Sequence, residues 1–155
     1  MSVGTMRKLA TGPMNRPPTS ERMIPMTKQV ISTPDAPGHA SYGKFPYSQA
    51  VKAGGLVFVS GQGPFDATTG ATIGTTIQEQ TRQCLHNIDA ILKAAGSSMD
   101  RVANATCILR DAADFAGMNE EWQRWFPIEP PARQGARHPL DNPELRISIA
   151  VIAEA

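Results

Sequence analysis

The chain has 155 residues, a formal net charge of +1 and an apolar content of 41%, the size and composition of a single globular domain. So even a charge balance gives no reason to expect nucleic acid or an anionic membrane surface as a partner, and no apolar run approaches the length of a membrane span. Two cysteines in apolar-patterned stretches, Cys84 and Cys107, read as buried thiols of a reducing, cytoplasmic compartment, and the scattered His39, His86 and His138 show no metal-ligand spacing, so no metal is expected.

Residues 1–26 are rich in Met, Pro, Ser, Thr and Arg, and no acid precedes Glu21. Such a segment cannot bury enough apolar surface to offset its ordering entropy, so it reads as disordered or extended, with the domain proper over 27–155. No apolar h-region of a secretory signal is present. A basic, acid-poor transit peptide and a functional start at Met26 are the two readings, and the second is the simpler.

From Gln29 to Pro46 the mixture of Gly, Pro, Ser and Asp is loop-like. Tyr47–Lys52 reads as a first strand, Ala53-Gly54-Gly55 as a tight hairpin turn, and Leu56–Ser60 as a second strand. Gly61-Gln62-Gly63-Pro64 ends it; the stretch lacks the spacing and the Lys-Ser/Thr ending of a phosphate-binding loop. Thr76 and Glu79 form a capping box, and the helix they open places Ile77, Cys84, Leu85, Ile88, Ile91, Leu92 and Ala95 on one face before Gly96 stops it. His86 falls off that stripe and reads as a surface residue. Val102–Arg110 is a third strand. A second helix starts near Asp111, with an apolar stripe of Phe115, Met118, Trp122, Trp125 and Phe126, and Asn119 beside it.

The last stretch organises the chain. Leu145 to Ala153 is a β-branched run of strand length, preceded by Pro130-Pro131-Ala132-Arg133-Gln134-Gly135-Ala136-Arg137. The double proline forbids helix. Arg133 on an extended backbone, two residues from a glycine whose N–H a ligand can approach, suits capture of a carboxylate. The competing reading is a strand-edge arginine in solvent or paired with a surface acid. The order β-β-α-β-α-β-β predicts an α+β domain, a mixed sheet with both helices on one face. The other face then needs a cover, and a second copy of the chain is the economical one.

These residues resemble the Rid family, also called YjgF or endoribonuclease L-PSP. The resemblance rests on Pro46-Tyr47-Ser48-Gln49-Ala50-Val51, Val59-Ser60-Gly61-Gln62, Ala94-Ala95-Gly96, the Asn119 helix, Pro131-Ala132-Arg133 and Ile147-Ser148-Ile149, in family order from about Thr27 to the end. It implies a chorismate-mutase-like fold and a homotrimer with a central barrel and ligand sites between subunits. It also implies hydrolysis of enamines and imines of small 2-imino acids to 2-keto acids and ammonia, with no cofactor. Carried over, Arg133 holds the substrate carboxylate and the N–H of Gly135 reaches the substrate. Tyr47, Asn119, Ser60 and Gly61 line the site.

One departure stands out. Active members usually carry Glu where this chain has Ser148, and often a second Glu where it has Ala150. Ser148 can hold a water but is a poor general base without a partner. The segment after Arg133 also adds Arg137 and His138. Two readings stay open: His138 or Glu144 orients the water instead, or the site binds a small carboxylate without turning it over. The ribonuclease role in the family name finds no support in the charge distribution.

Overall fold

The computed structural model describes residues 27–38, 46–138, 140 and 142–155. The expectations for residues 1–26, for His39 and for the 39–45 part of the loop-like stretch lie outside the described residues.

Among the described residues, six strands and two α-helices follow in the order β1 (Gln29–Ile31), β2 (Ala50–Ala53), β3 (Leu56–Gln62), α1 (Ile77–Ala94), β4 (Val102–Leu109), α2 (Phe115–Trp125), β5 (Ala132–Arg137) and β6 (Ile147–Glu154). They form one sheet in the spatial order β1-β2-β3-β6-β4-β5. Only β5 runs parallel to its neighbour, β4; the other pairs are antiparallel, so the sheet is mixed. Relative to the sequence reading, β1 is an added strand at the sheet edge, in a stretch whose Pro and Gly content hides three extended residues.

Strand β2 begins at Ala50, not at Tyr47. The preceding Gln49 is buried, and its amide is committed to the 33–37 loop. Its Oε1 accepts from the Thr33 N–H at 2.7 Å, and its Nε2 donates to the Ala36 and Pro37 carbonyls at 2.9 Å. The hairpin turn is Gly54-Gly55, at φ 60° and 76°, which only glycine adopts without strain and which matches the twist of the flanking strands.

Helix α1 begins as expected. The Thr76 hydroxyl accepts from the Glu79 N–H, and the Glu79 carboxylate accepts from the Thr76 N–H at 3.0 Å. Gly96, at φ 78°, closes it, with the Ser97 N–H donating back to the Leu92 carbonyl. Its stripe, Leu85, Ile88, Ile91 and Leu92, is fully buried. It packs on one sheet face formed by Val57, Val59, Ala105, Cys107, Ile147, Ile149, Val151 and Ala153.

Helix α2 is preceded by a 3₁₀ turn, Ala112–Asp114, capped by Asp111. It is tied to α1 through buried Glu121, which accepts from Arg82 Nε and Nη2 at 2.9 and 2.7 Å and from the Trp125 indole N–H at 3.3 Å. This pair with Arg82 holds the Glu121 carboxyl below its ordinary range. Of the expected stripe, Met118, Trp122 and Phe126 are buried, whereas Phe115 is 50% exposed. The first turn of α2 still packs on α1, where Gly117 lies against Ile77 and Gln78, so Phe115 is the residue of that turn left outside the contact.

Residues of opposite parity line the other face: Phe58 on β3, Thr106 and Ile108 on β4, and Ser148, Ala150 and Ile152 on β6. No element of the chain among the described residues packs over them. The expected mixed sheet with two helices on one face is therefore observed.

Candidate functional site

Register fixes where Arg133 points. It pairs with Ala105, a buried helix-facing position of β4, so its side chain lies on the α2 side of the sheet's edge strand. There the guanidinium Nη2 donates to Asn119 Oδ1 at 2.6 Å, and its carbon stands 4.8 Å from the Trp122 ring centroid and 5.8 Å from that of Phe115. An aromatic face supports a guanidinium while leaving its N–H edges free. Nη1 is shut off from solvent and has no hydrogen-bond partner, and no carboxylate pairs with Arg133 among the described residues. An unpaired buried donor costs about 1–3 kcal/mol, so such a group is a standing receptor for an acceptor. A cleft of about 460 Å³ opens here, lined by Asn119, Trp122, Gln123, Phe126, Pro131 and Arg133.

Gly135 continues the same track. The His138 N–H donates to the Leu109 carbonyl, so by alternation the N–H groups of Gln134 and Ala136 also turn toward β4, while those of Arg133 and Gly135 turn to the open edge. A Cβ built on Gly135 meets only the Cys107 carbonyl, at 3.8 Å. Beneath this edge burial pushes the Cys107 thiol up to about 11, against the opposing pull of the Arg133 charge. The thiol is therefore neutral packing and not a nucleophile.

The other expected site residues sit elsewhere. Between Val59 and Gln62, β3 bulges against β6, which turns Ser60 and Gly61 toward the uncovered face. A Cβ on Gly61 would come within 3.0 Å of Ser148 Oγ, so Gly61 and the Ser148 hydroxyl lie side by side on this face and a larger residue would displace the hydroxyl. The Ser60 hydroxyl donates to the Ser48 carbonyl at 2.7 Å. Tyr47, 43% exposed, shares a cleft of about 400 Å³ with Gly61, Gln62 and Phe65. The Ser148 hydroxyl has no hydrogen-bond partner among the described residues, and its position, paired with Ile108, is on the uncovered face.

The chain thus holds two separate groups. Asn119, Arg133 and Gly135 lie on the α2 side of the edge, and Ser60, Gly61 and Ser148, with Tyr47 nearby, on the opposite side. Arg133 and Ser148, expected in one site, are not brought together within one chain, because the sheet stands between them. Glu144 lines a third cleft with Arg110, Asp114 and Arg146, and so is not part of the Arg133 site. His138 is exposed at the end of β5. The aromatic support of Arg133 by Phe115 and Trp122 escaped sequence reasoning. The alternation along Arg133-Gln134-Gly135-Ala136-Arg137 could have shown that Arg137 shares the Arg133 face. Among the described residues no three His, Cys, Asp or Glu side chains gather as a metal site would need, and no helix is long and apolar enough to cross a membrane.

The profile of the family described as endoribonuclease L-PSP matches residues 38–155. The chain belongs to this family, the Rid proteins. A RutC family protein of Pyrococcus horikoshii is 43% identical over 126 residues, which cover 81% of this chain and 97% of the relative. Reactive Intermediate Deaminase A, the chloroplastic protein of Arabidopsis thaliana, is 42% identical over 129 residues, 81% of this chain and 65% of that one. Among solved structures, E. coli TdcF with bound serine superposes with a TM-score of 0.73 at 32% identity, covering 82% of this chain and 98% of that one. The solved Rid structures match the mixed sheet with two helices seen here.

Proposed function

We propose that this Rid protein hydrolyses the imines or enamines of small 2-amino acids to 2-keto acids and ammonia, with Arg133 as the carboxylate anchor. The observation that carries this reading is the guanidinium itself: buried on one side, supported by Trp122, bonded to one neutral amide and left with a free donor. A bidentate, charge-assisted pair with a carboxylate completes it. The deaminase among the relatives and the serine bound to TdcF agree with a small amino-acid-like ligand.

The chemistry asks for little else. An enamine tautomerises to the imine; water adds to the imine carbon; the tetrahedral adduct loses ammonia and leaves the 2-keto acid. Holding the carboxylate fixes that carbon, and placing a water at near-attack distance supplies much of the acceleration. Ser148 is the candidate to hold that water. Because the sheet separates it from Arg133 in one chain, the complete site joins the Arg133 edge of one copy to the Tyr47, Gly61 and Ser148 side of another. A homotrimer, with the uncovered sheet faces turned inward and each site between two copies, provides that arrangement.

A second reading has its own observation. The Ser148 hydroxyl has no hydrogen-bonded base among the described residues, and a site without a base would bind small carboxylates without turning them over. An assay separates the two. An amino-acid oxidase generates imines from a panel of amino acids while semicarbazide traps what remains. Faster imine loss with wild type and not with Arg133→Ala supports the hydrolase. Ligand-dependent stabilisation with no acceleration on any imine supports the binding protein. Activity retained in Arg133→Ala rules out the anchor.

A further inference from the structure

Strand β5 carries a second cation that the reading above leaves unused. Arg133, Gly135 and Arg137 pair with Ala105, Cys107 and Leu109, all three buried and helix-facing, so the two arginines and the glycine share one side of the edge strand. Arg137 is exposed, and its Nε makes a long hydrogen bond of 3.4 Å to the Arg110 carbonyl, at the turn that opens α2. No acid pairs with it among the described residues. The neighbouring Arg110 is different: its guanidinium is taken up by the carbonyls of Leu140, Asn142 and Pro143. Between Arg133 and Arg137 the floor is Gly135, open above its Cα. Half-exposed Phe115 approaches the Arg133 end from α2.

We infer that Arg137 is a specificity-determining residue that takes the second carboxylate of a dicarboxylic substrate whose first carboxylate sits on Arg133. The inference rests on the proposed role of Arg133. Four residues of strand separate the two Cα atoms by about 13 Å. A five-carbon diacid spans about 5 Å between its end carbons, and a guanidinium–carboxylate pair adds about 4 Å at each end, so the diacid bridges guanidinium carbons about 13 Å apart, the spacing of two side chains that leave the strand in parallel. Two cations on one side of the strand, with no acid partner among the described residues, also disfavour a substrate with a cationic side chain. The preferred class is therefore 2-imino acids of four or five carbons ending in a carboxylate, ahead of those with apolar or basic ends.

The test is calorimetric titration with 2-oxoglutarate and with 2-oxobutyrate, a diacid and a monoacid of the product class, at low salt. Four proteins are compared: wild type, Arg137→Gln, Arg137→Glu and Arg133→Ala. Wild type is expected to prefer the diacid by roughly two- to five-fold, the worth of one exposed ion pair. That preference is expected to vanish in Arg137→Gln and to invert in Arg137→Glu. Equal binding of the two acids by wild type overturns the inference. So does a loss in Arg137→Gln that is the same for both acids, which would mark Arg137 as a strand-edge support acting through the Arg110 carbonyl. If neither acid binds wild type, the Arg133 reading fails with it. If both bind, both are lost in Arg133→Ala and no preference exists, only the inference about Arg137 falls.

Discussion

Two clefts of nearly equal size, about 480 and 460 Å³, are each lined by arginine, yet they differ in what their guanidiniums have left to offer. In the first, Arg146 donates to both oxygens of Asp114, at 2.9 and 3.2 Å, and to the Thr75 carbonyl at 3.0 Å, while Arg110 is held by backbone carbonyls. In the second, Arg133 meets one amide oxygen and two aromatic rings. The first cleft is a clasp that joins the start of β6 to the turn before α2. The second is an open valence. Cleft size does not separate a site from a structural crevice here; saturation of the charged group does.

Substitutions at the two arginines are expected to fail in opposite ways. Arg133→Ala is expected to weaken 2-oxobutyrate binding about 100-fold or more, because a bidentate pair is lost. Its melting temperature is expected to stay close to wild type, since no ion pair is broken. A melting temperature that collapses together with binding would make Arg133 a clasp like Arg146. Conversely, Arg146→Ala is expected to destabilise the fold by about 1–3 kcal/mol in chemical denaturation, because buried Asp114 loses its partner. Ligand titration of that variant is expected to match wild type.

Smaller effects sharpen the contrast. Ser148→Glu supplies a base across the composite site and is expected to raise imine hydrolysis by roughly ten-fold, short of the roughly 100-fold or more that a well-positioned base gives. Binding of 2-oxobutyrate is expected to change little. An unchanged rate would show that the water is held by another group.

Glu121→Gln probes the scaffold behind Arg133, since the carboxylate ties α2 to α1. A loss of about 1 kcal/mol is expected. Because the folded pKa of Glu121 lies below its ordinary value, its contribution is present above that ordinary value and disappears as pH falls through the folded pKa. Wild type is therefore expected to lose stability below about pH 4.5 more steeply than Glu121→Gln.

Much of the fold is legible in the chain because local signals and packing agree. Thr76 with Glu79, the α1 stripe and Gly96 all specify the same helix, and the alternation of β6 specifies one buried face. Where a side chain works at long range, the signal fades. Gln49 reads as a strand residue, but its amide serves the loop before β2. Phe115 fits the helical stripe, yet it stands half exposed beside Arg133. Arg133 and Ser148 each look like site residues in sequence. That they lie on opposite sides of the sheet depends on the register between β4, β5 and β6, which no local pattern encodes.

The central claim, that Arg133 is the unsaturated charge and Arg146 the saturated one, is read most directly by NMR of the arginine guanidinium groups. Nitrogen-15-labelled protein, with signals assigned from the Arg133→Ala and Arg146→Ala spectra, is titrated with 2-oxobutyrate. The account predicts that the Arg133 resonances shift and sharpen with ligand while those of Arg146 stay in place. A shift at Arg146 with Arg133 unmoved, or no guanidinium shift while the ligand demonstrably binds, would contradict it.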